Sequence, residues 1–206
     1  MKLPRAWRRL GAEFYARDTL AVARALIGKI LVHRGGGAAC AGRIVETEAY
    51  LAEVDAASHA FRGRTARNAS MFGPPGRAYV YRSYGVHACF NVVTAARGSG
   101  EAVLVRALEP VLGLASMRRR RGASAVRDLC RGPGRLTVAL GIELDHDGVS
   151  LLRGPLGVWW DSSADGALAL DVTPRIGITR ASELELRFCL RGSRFVSGGS
   201  RVSARA

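Results

Sequence analysis

Between residues 19 and 30 the apolar positions Leu20, Ala23, Ile27 and Ile30 recur at helical intervals, and Asp18 stands where an N-cap belongs. Gly28 weakens the end of this helix. Residues 30–32 predict a strand, Gly35-Gly36-Gly37 a hairpin turn, and residues 42–50 (GRIVETEAY) the strand that follows. Residues 53–60 are expected to form a short helix. The stretch 61–77 reads as loop and ends in Gly73-Pro74-Pro75-Gly76. Two β-rich runs, 78–83 and 87–94, flank Tyr84-Gly85 and predict a hairpin with a tight turn. Residues 102–108 form another expected strand. Pro110 is placed to open a helix ending in Arg118-Arg119-Arg120-Arg121, and Gly132-Pro133-Gly134 leads into a short helix with Leu136 and Leu140. Val158-Trp159-Trp160 and residues 184–190 predict late strands. Hairpins outnumber βαβ units, so the pattern predicts one mixed α/β (α+β) domain with a mostly antiparallel sheet. It should span residues 12–198, with a flexible basic arm over 1–11 and a disordered tail over 199–206.

Composition adds a partner. Thirty-one basic residues face seventeen acidic ones, a formal charge of +14 on 206 residues. A GC-rich genome would explain why only Lys2 and Lys29 are lysines, but not the excess of base over acid. The charge points to a polyanion. An acidic membrane would also attract it, but no basic amphipathic helix is present to lie there. No apolar run reaches the roughly eighteen residues of a membrane span. The first ten residues lack an apolar leader, so a cytoplasmic protein is expected. Cys40, Cys89, Cys130 and Cys189 show no metal-ligand or disulfide spacing and read as separate buried thiols. No cofactor and no metal is implied.

Two segments carry candidate chemistry. On an extended strand Glu46, Glu48 and Tyr50 share one face, each about 6.5–7 Å from the next. This sets a possible base catalyst beside an aromatic plate, although the hexapeptide alone reads as readily as a solvated strand face. In Tyr79-Val80-Tyr81-Arg82-Ser83-Tyr84, Tyr79 and Tyr81 share a face and Tyr84 sits at the turn. There it could wedge between base pairs or fold back onto the core. His33, His87 and His146 have no companion motif and read as structural. The arginine run at 118–121 reads as a solvated helix end, and Arg131 as a candidate phosphate contact. A metal-dependent nuclease using Glu46, Glu48, Asp55 and His59 would need a metal-ligand spacing these residues lack.

These pieces together resemble one family. GRIVETEAY, Ser58-His59, Arg67-Asn68, Met71-Phe72, PGRAYVYRSYG, Asn91 and LVRALEP occur in order. Leu129-Cys130-Arg131-Gly132-Pro133, Pro174-Arg175-Ile176-Gly177 and Arg191-Gly192-Ser193 follow. The series is similar to the alkyladenine (3-methyladenine) DNA glycosylases and covers most of residues 12–198. The resemblance implies a curved antiparallel sheet with flanking helices and a protruding, DNA-inserting hairpin. It implies that Glu48 activates the attacking water and that Arg106 lies near that water and the target's backbone. Tyr50, His59 and Tyr81 would sandwich a flipped base, Asn91 would crowd the amino group of normal guanine, and Tyr84 would fill the gap left in the duplex. The implied reaction is hydrolysis of the base–sugar bond of alkylated or deaminated purines by a monomer on double-stranded DNA, without strand cleavage. Glu46 faces the same way as Glu48, and only the resemblance chooses between them. The sequence departs from the family pattern at His87 and at Gly73-Pro74. The competing expectation is a non-catalytic damaged-DNA-binding module, which would have no use for a carboxylate close to anionic DNA.

Overall fold

Asp18 does cap a helix: its Oδ1 accepts the N–H of Ala21 at 2.9 Å, opening α2 (Thr19–Leu26). The computed structural model describes residues 3–198 except 36, 84, 123–124 and 164–165. The buried face of α2 is Thr19, Val22, Ala23 and Leu26, whereas Leu20, expected at its centre, is only half-buried. The helix is shorter than its apolar pattern. Gly28, at a φ of +85°, turns the chain out, and Gly28 and Lys29 pair through their backbones with Ile44.

Strand β2 (Ile30–His33) runs antiparallel to β3 (Cys40–Tyr50), from Ile30 opposite Arg43 to His33 opposite Cys40. The expected glycine turn between them includes residue 36, outside the described residues. Strands β4 (Ala78–Ser83) and β5 (His87–Val93) pair with Tyr79 opposite Asn91 and Ser83 opposite His87. Tyr84, expected at the turn between them, also lies outside the described residues.

Strand β6 (Ala102–Leu112) corrects one expectation, because Pro110 lies within it and opens no helix. Leu108 sends its N–H to the carbonyl of Cys130, away from β3. Two residues on, the proline ring lies on the same outer side beyond the last partner, so its missing donor costs no ladder bond. Helix α3 (Leu114–Arg121) begins only after Gly113, and α4 (Pro133–Leu140) starts as its Gly-Pro-Gly entry predicts.

Within the segment expected to be an arm, β1 (Trp7–Arg9) pairs with β7 (Leu156–Asp161), and the short helix α1 (Ala12–Tyr15) follows it. Residues 53–60 form turns folded around the buried Asp55, not the expected helix, because the carboxylate accepts the N–H groups of Leu51 and Ala57. Strands β8 (Leu170–Thr173) and β9 (Arg187–Leu190) complete the sheet.

The result is a single mixed α/β domain around a nine-stranded open sheet, with every pairing among the described residues antiparallel. Its main path runs β1-β7-β2-β3-β6-β5-β4, while β9 pairs with β3 and β8. Leu26, Leu31, Ile44, Phe90, Leu108, Met117, Leu136 and Phe188 form the main core, and a smaller cluster gathers Tyr79, Met71 and Val93. Each such large apolar side chain contributes roughly 1.5–3 kcal/mol by leaving water. No helix among the described residues is long and apolar enough to cross a membrane.

Candidate active site

Strand β3 bulges at two places around Glu46, and there its face is covered by β6 on one side and by the chain near residues 176 and 197. Glu46 and Glu48 are consequently both 0% exposed, which excludes a solvated strand face. Arg106, from β6, joins them: its Nε donates to Glu46 Oε1 at 3.0 Å and its Nη1 to Glu48 Oε2 at 3.1 Å. Burial pulls the Arg106 pKa down, but the carboxylates of Glu48 and Glu46 more than offset this and raise it, so the guanidinium stays charged.

The two carboxylates differ in the partners that hold them. A carboxylate has about four acceptor positions. Glu46 takes four donors: Nε of Arg106, Nε of Arg187 at 2.7 Å and the Ser197 hydroxyl at 2.9 Å on Oε1, and the N–H of Ser197 at 2.6 Å on Oε2. Glu48 takes three: Arg106, the Tyr50 hydroxyl at 3.0 Å and the N–H of Ile176 at 2.9 Å. Each carboxylate thus has one oxygen that takes a single donor, but the three residues that hold Glu48 all line the adjoining cavity, whereas of those that hold Glu46 only Arg106 does. The facing predicted for Glu46, Glu48 and Tyr50 holds, and tertiary contacts give the two carboxylates different surroundings.

Beside this cluster lies a cavity of about 520 Å³ walled by Tyr50, His59, Tyr79, Tyr81, Asn91 and Arg106, among others. Its size falls within the ~300–1,000 Å³ of small-ligand pockets. Tyr79 and Tyr81 stack with centroids 5.3 Å apart, and His59 meets Tyr81 edge-on at 4.5 Å. The His59 Nδ1 and the Tyr79 hydroxyl are hydrogen-bonded at 2.8 Å. Burial, assisted by nearby Arg67, lowers the His59 pKa and favours the neutral ring. Burial also raises the phenols of Tyr50 and Tyr81, which stay protonated. Asn91 donates its amide to the carbonyl of Tyr79 at 3.0 Å, which fixes its side chain at the cavity wall. Five of the seven residues singled out from the sequence line this cavity; Glu48 does not line it but is bonded to Tyr50 and Arg106, which do, and Tyr84 lies outside the described residues.

Other expectations resolve differently. His87, expected to be structural, is exposed and lines the cavity. His33 and His146 do have a companion, each other: their Nε2 atoms are 3.1 Å apart. Arg131, half-buried, donates to the carbonyls of Val196 and Gly198 at 2.8 and 3.0 Å. The arginine run is less solvated than expected, since Arg120 and Arg121 donate to the carbonyls of Ala139 and Leu129. The four cysteines are buried and free, and burial pushes the Cys130 thiol up to about 12. No group of three potential metal ligands occurs among the described residues. Asp55 and Arg175, which had no assigned role, form a buried ion pair behind Tyr50. Arg187 and Ser197 were also missed, because no local pattern marks a residue whose partner lies more than a hundred positions away.

Comparison with known proteins agrees with this geometry. The methylpurine-DNA glycosylase (MPG) family matches residues 13–194. A protein of Methanoculleus marisnigri is 55% identical over 91% of this chain and 98% of its own length. One from Rhodopseudomonas palustris strain BisB18 is 50% identical over 96% of each chain, and one from Chlorobaculum tepidum is 47% identical over 92% of this chain and 91% of its own. All three are named "Putative 3-methyladenine DNA glycosylase". With the buried carboxylate, its arginine and the aromatic cavity assembled on one antiparallel sheet, and the match spanning 13–194, this chain belongs to the methylpurine-DNA glycosylase family.

Proposed function

We propose that the protein is a DNA repair glycosylase that takes alkylated or deaminated purines from duplex DNA into the aromatic cavity and hydrolyses the base–sugar bond. The observation that carries this is Glu48 itself: its Oε1 takes one donor and keeps an acceptor position, and its three partners, Tyr50, Arg106 and Ile176, all line the cavity. A water donating to that position is held and polarised. Its oxygen adds to C1′ of the sugar as the C1′–N bond breaks. The bonding pair leaves with the base, and the water's proton passes to Glu48. The negative carboxylate also stabilises the oxocarbenium character of the sugar.

The leaving group explains why one carboxylate suffices. Alkylation at N3 or N7 makes the purine cationic, so the departing pair neutralises it and little protonation is needed. The faces of Tyr50 and Tyr81 attract such a cation, and a neutral His59 does not repel it. Arg106 orients the water and meets the target's backbone. Asn91, fixed by the Tyr79 carbonyl, crowds the amino group of normal guanine. Extruding the base costs a few kcal/mol, and Tyr84, between β4 and β5 in the sequence, offsets part of that by entering the vacated stack. The charge of +14 supplies the sequence-independent hold on DNA. The enzyme acts as a monomer in the cytoplasm, at the nucleoid in a bacterium, and leaves an abasic site uncut.

Duplexes carrying single 3-methyladenine, 7-methylguanine, hypoxanthine or ethenoadenine lesions test the proposal, with hot alkali to reveal abasic sites. Cleavage after alkali on at least one lesion is expected. Binding without excision on all four would establish the non-catalytic module instead.

A further inference from the structure

Behind Tyr50, on the side away from the cavity, lies an ion pair that the reaction above does not use. Arg175 donates to both oxygens of Asp55, through Nη1 at 2.5 Å and Nη2 at 2.7 Å, and both side chains are sealed from solvent. The guanidinium lies over the Tyr50 ring, 4.7 Å from its centroid. Its Nη1 also reaches the carbonyl of Ala49 at 3.0 Å, one residue before Tyr50, and its Nη2 that of Ala181. Asp55 in turn accepts the N–H groups of Leu51 and Ala57, on the turn leading to His59. The residue after Arg175 is Ile176, whose N–H holds Glu48 Oε1. One buried pair thus joins the three segments that carry Tyr50, His59 and the backbone clamp on Glu48.

The pair has an electrostatic consequence. Arg175 does not line the cavity whereas Tyr50 does, so a base stacked on Tyr50 meets its other face. A cationic base there would stand about 8 Å from the guanidinium, taking 4.7 Å to the ring and ~3.5 Å for stacking. At that distance and an effective dielectric constant of ~20, one uncompensated charge changes a cation's occupancy by roughly thirtyfold. Asp55 supplies the compensation.

We propose that Asp55 and Arg175 are positioning residues: together they lock Tyr50 and the Ile176 amide against Glu48, and Asp55 neutralises Arg175 so that a positively charged base can stack on Tyr50. This rests on the glycosylase reading of the cavity, so wild-type protein is the control: excision of neither substrate by wild type would sink that reading and this one with it, whereas a failure confined to the variants bears on this one alone. Single-turnover excision of cationic 7-methylguanine and of neutral hypoxanthine is measured with gel-shift affinity in parallel. Arg175→Lys keeps the charge but loses the planar two-point grip. It should slow both substrates about tenfold with affinity and substrate ratio unchanged. Asp55→Asn keeps the acceptor for the turn but removes the countercharge. It should lower the ratio of 7-methylguanine to hypoxanthine excision by about tenfold or more, whereas a purely structural role would move both substrates together. The double change Asp55→Asn/Arg175→Met removes both charges and should restore the ratio. An unchanged ratio in folded Asp55→Asn overturns the proposal. If that variant does not fold, an unaltered single-turnover rate in Arg175→Lys overturns it, and a tenfold loss at constant affinity supports it.

Discussion

Replacing Glu48 by Gln separates catalysis from architecture, and the structure says how much of each should change. In the native site Oε1 receives the Ile176 N–H, and Oε2 receives the Tyr50 hydroxyl and Arg106. An amide can present its oxygen to only one side. Its better orientation keeps the oxygen toward Tyr50 and Arg106 and sets the NH₂ against the Ile176 N–H, donor to donor. One buried hydrogen bond lost without replacement costs about 1–3 kcal/mol, and for a domain of this size each kcal/mol lowers Tm by about 2–4 °C. The rate should fall further than this small loss suggests, because the amide neither takes the water's proton nor offers a negative charge. General-base removal alone costs about 10²–10⁴ in rate, equivalent to roughly 3–5 kcal/mol of barrier. Glu46→Gln should show the reverse balance. It takes four donors, two of them the guanidiniums of Arg106 and Arg187. Breaking a buried ionic cluster from one side costs about 3–5 kcal/mol, so this variant should lose more Tm and less of its single-turnover rate. The assay is single-turnover excision of hypoxanthine well below the lower Tm, with lesion binding followed by gel shift. If Glu48→Gln excises within tenfold of wild type, or if Glu46→Gln is the inactive but stable variant, the assignment of the base is wrong.

Three further outcomes follow from the same geometry. Tyr84→Ala should reduce the extruded population of a fluorescent base analogue more than it slows chemistry on a base already extruded; an unaltered population would place Tyr84 in the core. Borohydride should trap no covalent adduct with abasic DNA, since Schiff-base formation needs an amine and Lys29, joined through its backbone to Ile44, does not line the cavity; a trapped adduct would refute the water mechanism. Because burial holds the His59 pKa below the ordinary histidine value of about 6.5, the ring is neutral at pH 7 and gains its charge only as pH falls through that lowered value. Stability linked to the neutral ring is therefore present above about pH 6.5 and lost on further acidification. Excision of 7-methylguanine should decline over the same acid range, and in His59→Phe that decline should shift to lower pH; an acid limb that does not move would remove His59 from the pocket's electrostatics.

What the sequence determines by itself is what short-range chemistry decides. The cap at Asp18, the antiparallel runs on either side of Tyr84-Gly85, the Gly-Pro-Gly entry to α4 and the common facing of Glu46, Glu48 and Tyr50 each depend on neighbours a few positions away. All of them were legible as period, propensity or spacing. Where local signals failed, a distant partner had outweighed them. Pro110 is a good helix opener, yet it extends β6 because its missing donor meets an unpaired edge. Residues 53–60 have helical character, but they wrap Asp55, whose charge is held by Arg175, 120 positions along the chain. Two carboxylates with identical facing acquire different partners: Arg187 and Ser197, 141 and 151 residues from Glu46, hold that one, whereas Tyr50 and Ile176, which line the cavity, hold Glu48. A side chain's type and facing are written locally. Which partners hold it, and whether they border a cavity, depends on which remote segments the sheet brings against it, and only the folded chain brings them there.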